Sequence, residues 1–85
     1  MLHAQDTRIS ELPYRGLRPR RPYELEEGNL IDLNRDIVAD PDGRNEALKT
    51  AVKVVTTTDR GALGIEVETS AGTWTFPRSH VLVGI

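Results

Sequence analysis

The chain is 85 residues long, has no cysteine and carries a formal charge of −2. That length fits one domain with a small core, and the missing thiols exclude a disulfide framework and thiolate metal sites. No apolar run approaches the roughly 20 residues of a membrane span, and the opening MLHAQDTRISEL lacks the basic-then-apolar order of a secretory signal, so the expected location is the cytoplasm.

Charge divides unevenly. Residues 1–22 carry five arginines against Asp6 and Glu11, a net of +3, whereas residues 23–85 carry six basic and eleven acidic side chains, a net of −5. This predicts a basic arm, residues 1–22, on an acidic domain, residues 23–85. Nine of the eleven basic residues are arginine, the side chain suited to bidentate contact with carboxylate or phosphate.

In chain order, DTRISEL predicts one or two helical turns, capped by Asp6 or Thr7, with Ile9 and Leu12 on one face and Pro13 as the stop. PYRGLRPRRPY, residues 13–23, holds four arginines, three prolines and two tyrosines. Prolines 13, 19 and 22 remove backbone donors and fix φ, so this stretch is expected to be extended and irregular. NLIDL (29–33) and DIVA (36–39) read as short strands. DPDGR (40–44) reads as a turn, with Pro41 preset for it and Gly43 free to take positive φ.

NEALKTAVKVV fits two periods. Asn45 is a plausible helix cap, with Leu48, Ala51, Val52 and Val55 sharing a helical face. Leu48, Thr50, Val52, Val54 and Thr56 also alternate as a strand. Six of the seven residues from 52 to 58 are β-branched, which decides that part for strand; a helical turn near 45–50 stays open. DRGALG is a glycine-bearing turn. IEVET places Ile65, Val67 and Thr69 opposite Glu66 and Glu68, SAG is a tight connection, and TWTF places Trp74 and Phe76 on one face. Pro77 ends that strand, and VLVGI forms another after the short RSH link.

These elements predict an all-β domain, a small antiparallel barrel or rolled sheet with an extended N-terminal arm and at most one short helix. The expected core is Leu30, Leu33, Ile37, Leu48, Val52, Val54, Ile65, Val67, Trp74, Phe76, Val81 and Val83. The apolar VLVGI strand at the C-terminus must be paired and covered or it becomes a sticky edge, which favours a subunit contact there.

The closing FPRSHVLVGI resembles the final segment of Src-homology-3-type barrels, where a proline-started 3₁₀ turn leads into the last strand, and ELEEGNLIDL resembles their strand after a turn glycine. The likeness covers about twenty residues and implies an SH3-like barrel. The acidic-aromatic opening strand and tandem tryptophans of the peptide-binding members are missing, so it implies no proline-rich ligand. NLIDLNRDIVADPDG, residues 29–43, is similar to a short stretch of bacteriophage virion-associated proteins, which implies a phage setting.

Catalysis needs clustered polar groups with tuned pKa values. His3 and His80 stand far apart with no sequence feature pairing either to a nucleophile, and no phosphate-loop, nucleophile-elbow or zinc-helix motif is present. His80 reads as a turn residue with a satisfied ring. With Gly43 at the sixth position of a calcium loop, Asp40 and Asp42 fall at the third and fifth, but Val38 and Lys49 occupy the first and twelfth, where carboxylates belong. An Asp-rich turn is the better reading. Trp74, the one tryptophan, reads as core. The expectation is a non-enzyme with no catalytic residue, metal, cofactor or small-molecule substrate.

The stretch 13–23 carries the candidate contacts, Tyr14, Arg15, Arg18, Arg20, Arg21 and Tyr23. As protein anchors these residue types lose little entropy, and a +3 arm suits an acidic partner surface, a neighbouring copy included. As a nucleic-acid strap, Arg18, Arg20 and Arg21 would neutralise phosphates while Tyr14 and Tyr23 stack on bases. The segment RGLRP also resembles the minor-groove hook core R-G-R-P, with Leu17 interrupting it. The acidic body opposes that reading, since it repels a polyanion. The leading expectation is a structural or adaptor protein within a larger assembly, with the arm and C-terminal strand making the contacts. A nucleic-acid-binding accessory protein and a small inhibitor of a host protein are the alternatives.

Overall fold

The computed structural model describes residues 18–85, and it is all-β: six antiparallel strands in one sheet, with three single 3₁₀ turns and no α-helix among the described residues. The strands are β1 (Arg18–Arg20), β2 (Leu30–Asp32), β3 (Val52–Asp59), β4 (Ile65–Thr69), β5 (Gly72–Phe76) and β6 (Leu82–Gly84), in the order β1-β6-β2-β3-β4-β5. The segment left open near 45–50 holds the 3₁₀ turn Glu46–Leu48, whose cap Asn45 accepts the Ala47 N–H at 3.0 Å.

β3, β4 and β5 form consecutive hairpins. Thr57 faces Val67 and Asp59 faces Ile65, while Val67 faces Trp74 and Ile65 faces Phe76. Val67, Ile65 and Phe76 on that face are buried, while Thr58, Glu68 and Thr75 on the other are exposed. β2 then pairs with both β3 and β6, and β6 also takes β1, so the two ends of the described chain meet: Arg18 lies opposite Gly84.

The alternation through β3 breaks once. Val54 faces Thr69 but Thr56 faces Glu68, which leaves Val55 as an extra residue, a β-bulge. Val54 is buried and Thr56 exposed, so the expected Val52-Val54-Thr56 face is corrected: the bulge moves Thr56 to the outer side. Backbone bonds from the preceding loop use the same point, with Gly28 N donating to the Val54 carbonyl and Val54 N to that of Asn29, both at 2.8 Å.

The buried core is Leu25, Ile31, Leu33, Ala39, Leu48, Val52, Val54, Ile65, Val67, Phe76 and Leu82, with Val38, Ala71 and Trp74 packed against it. Several expectations are overturned. In β6 the inward residues are Leu82 and Gly84, leaving Val81 and Val83 exposed. In β2 and the residue after it, Ile31 joins the expected Leu33 in the core, and Leu30 is exposed. A one-residue choice of register exchanges the two faces of a strand. Trp74 is half-buried because β5 is the last strand of the sheet. The DIVA strand is a turn, and Ile37 within it is 78% exposed.

That turn follows from its aspartates. Asp36 Oδ2 accepts the N–H groups of Val38 (2.9 Å) and Ala39 (3.0 Å), and buried Asp40 accepts those of Arg35 and Asn45, both at 3.0 Å. Short acidic side chains offer the backbone a local alternative to a sheet ladder. The bond from the Arg35 N–H, partly offset by burial and joined by that from Asn45, holds the Asp40 carboxyl below its usual range.

Candidate partner-binding surface

The link from β5 to β6 organises one side of the molecule. Pro77 cannot extend β5, and the Pro77 carbonyl accepts the His80 N–H at 3.0 Å, closing a tight turn. This throws the His80 ring back onto Phe76, stacked with centroids 5.0 Å apart and planes at 25°. His80 Nε2 meets Asp36 Oδ1 at 2.7 Å, with the two side chains only 8% and 9% exposed. His80 is therefore a turn residue with a partnered ring, and one carboxylate fastens the 36–39 turn to the β5–β6 link.

From the other side, Arg21 donates from its guanidinium to the Ser79 carbonyl, and Glu24 accepts the Arg21 N–H at 2.9 Å. The link is thus held between the 36–39 turn and the 3₁₀ turn Pro22–Glu24.

With the link pinned, apolar side chains stand out along it. Leu63 is 77% exposed, Ile37 78%, Val81 52% and Tyr23 58%. They line three shallow depressions that run into one another. Leu63 shares the first with Pro77, Ile37 and Val81 share the second with Pro77 and His80, and Tyr23 shares the third with Val81, Pro19 and Arg20. The first two share Pro77 and Ser79 and the last two share Val81, so the exposed apolar side chains follow the link as an interrupted apolar row. Arg20, Arg21, Arg35 and Arg78 are placed along its margins. Arg78 also pairs with Asp59, and that hydrogen bond holds the Asp59 carboxyl below its usual range.

Of the arm residues singled out by the sequence, Tyr14 and Arg15 lie outside the described residues, as does the expected helix over DTRISEL. Arg18–Arg20 is extended, as expected, but regular: it is strand β1, paired to β6. Arg20 crosses Gly84 so closely that a Cβ there would lie 2.6 Å from its Cγ, so its stem is packed and its head is left at the surface. The structure brings Arg20, Arg21 and Tyr23 together at one depression and keeps Arg18 at the exposed edge. The C-terminal strand is no sticky edge, because β1 and β2 occupy both its sides; what it presents outward is Val81 and Val83.

Ile37, Leu63 and the Asp36–His80 pair were not singled out as contact residues by the sequence. Asp36 and His80 lie 44 positions apart, and no local pattern joins them. Exposed isoleucine and leucine carry no pattern that separates them from core residues. No protein-family profile, curated protein or solved structure matches this chain. Among the described residues no group of three or more His, Cys, Asp or Glu side chains is placed to hold a metal ion, and no helix is long and apolar enough to cross a membrane.

Proposed function

We propose that this is a non-enzymatic structural or adaptor protein, working by protein–protein contact within a larger assembly. One observation carries the reading: Leu63, Ile37, Val81 and Tyr23, each more than half exposed, line three shallow depressions that share Pro77, Ser79 and Val81 along a pinned surface. Contiguous exposed apolar surface rimmed by polar groups is what partner proteins bury. The arm end contributes Arg20 and Arg21 to the margin, and Tyr23 and Val81 stand beside them. The arginine margins suit a partner whose own apolar patch is edged by carboxylates.

The strand order, with the last strand laid beside β2 after a proline-started turn, supports the resemblance to Src-homology-3-type barrels. The likeness of residues 29–43 to virion-associated proteins supports a phage particle as the assembly. Nucleic-acid binding is less well supported, because residues 23–85 carry a net charge of −5, which repels a polyanion.

The test is a comparative pull-down from the native cell with the wild type and with I37D/L63D, a pair of substitutions at exposed positions that leave the core intact. A protein retained by the first and lost by the second is expected. Equal recovery by both would remove the reading. Binding of DNA or RNA that falls steeply with salt, and less steeply after R18A/R20A, would replace it with the nucleic-acid alternative.

A further inference from the structure

The two edges of the sheet are built differently. β1 is three residues long with Pro19 at its centre, so its outer side lacks a donor where a neighbour would need one. β5, Gly-Thr-Trp-Thr-Phe, has no charged residue, no proline and no bulge, and pairs only with β4 among the described residues. Thr73 and Thr75 are exposed. Trp74 faces the core side yet stays partly exposed, with no strand beyond it among the described residues. An uncharged, β-prone edge with none of the usual guards among the described residues is a template for another strand.

We propose that this edge pairs with β5 of a second copy, antiparallel, about a two-fold axis through Trp74. The strand is self-complementary in that arrangement. Thr73 of each copy meets Thr75 of the other, and the two Trp74 rings become a cross-strand aromatic pair, each supplying the cover the other lacks. Gly72 falls opposite Phe76 of the second copy, so bulk does not meet bulk. The Trp74 ring already lies back over Gly72, where a Cβ would come within 3.0 Å of it.

Charge permits the pairing. Glu66 and Glu68 sit one strand inward on β4, opposite Thr75 and Thr73. In the dimer the two β4 strands are three strand spacings apart, about 14 Å, well beyond the roughly 8 Å screening length at physiological salt. No like charges face each other across the new junction. The proposal stands or falls separately from the apolar row, which lies along the 77–81 link and not along this edge.

Sedimentation of the full chain over a concentration series tests it, alongside two double variants at the exposed threonines. T73K/T75K sets lysine against lysine at both contacts and is expected to weaken dimerisation at least about tenfold. T73K/T75E sets lysine against glutamate at both and is expected to restore it. Circular dichroism checks that both variants are folded. Wild-type amide exchange in residues 73–75 gives a reading independent of any variant, with protection expected to rise with protein concentration. A wild type that stays monomeric to about 1 mM, a dimer indifferent to T73K/T75K, or exchange at β5 independent of concentration would each overturn the proposal. Loss of the dimer in both variants would overturn the antiparallel register.

Discussion

The two halves of the sheet are held together by different means. β3, β4 and β5 are eight, five and five residues long and follow one another through short turns. β1, β6 and β2 are three residues each and join parts of the chain as distant as Arg18 and Gly84. Local hairpins cost little loop closure and present long ladders. Three-residue ladders offer few backbone bonds, and here side chains supply the rest. Asp36 binds His80, Asp40 ties the 35–45 turn, Arg21 holds the Ser79 carbonyl, and Asn29 accepts the Glu26 N–H at 2.9 Å. Where a sheet is closed by remote, short strands, the polar side chains at its loops become structural members.

The largest effect should come from the residue that belongs to both halves. Phe76 ends β5, is fully buried, and stacks on His80. Phe76→Ala is expected to cost about 3–5 kcal/mol in a urea titration and to loosen both halves together. If only one half loosened by hydrogen exchange, the halves would be more independent than described here.

Gly64→Ala strikes the hairpin half. Gly64 has φ +109, and a Cβ there would lie 2.2 Å from the Phe76 carbonyl oxygen, a backbone atom that cannot swing aside. A loss of about 3 kcal/mol is expected. A neutral result would show that the β4–β5 hairpin tolerates a shift at its start.

His80→Ala strikes the closing half. It removes the ring stack and leaves Asp36 buried with one partner fewer, for an expected loss of about 2 kcal/mol. Amides of Leu82–Gly84 should lose protection while those near Val67 keep theirs. Equal loss in both places would dissolve the distinction between the halves.

The smallest effect is acid loosening of the 35–45 turn. The Asp40 carboxyl titrates below its usual value of 3.8 in the folded chain. The stability it contributes is therefore present above that value and disappears as pH falls through the lower, folded one. Exchange at the Arg35 and Asn45 amides should quicken in that acid range. Asp40→Asn should lower stability at neutral pH and flatten this acid limb; parallel acid limbs for the two proteins would contradict it. Asp59, lowered by its bond to Arg78 and standing at the surface, adds a weaker trend of the same sign.

The same division explains what could be read from the sequence. IEVET and TWTF alternate over whole strands with glycine at their ends, so their pairing and faces were legible. VLVGI is apolar at four of five positions, so period alone could not say that Leu82 faces inward and Val83 outward. Asp36 followed by Ile-Val-Ala has the composition of a strand, and the turn wins because the carboxylate takes two backbone donors at once. The Val54–Thr56 bulge has no glycine to announce it. Of the residues lining the three depressions, Arg20, Arg21 and Tyr23 were singled out in the sequence. Ile37 and Leu63 were not, because exposure is a property of the closed sheet and not of the residue.

Val55 leaves a final consequence. It is the single residue by which β3 exceeds the count needed to match β4, and extra residues of this kind bend the strand that holds them. Removing it would leave Val54 and Thr57 facing inward as they do now, because the alternation would simply become regular. The bend that the bulge puts into β3 would be erased while every side chain kept its side. Shape here is written partly in how many residues there are, a variable that point mutation never touches and a one-codon deletion does.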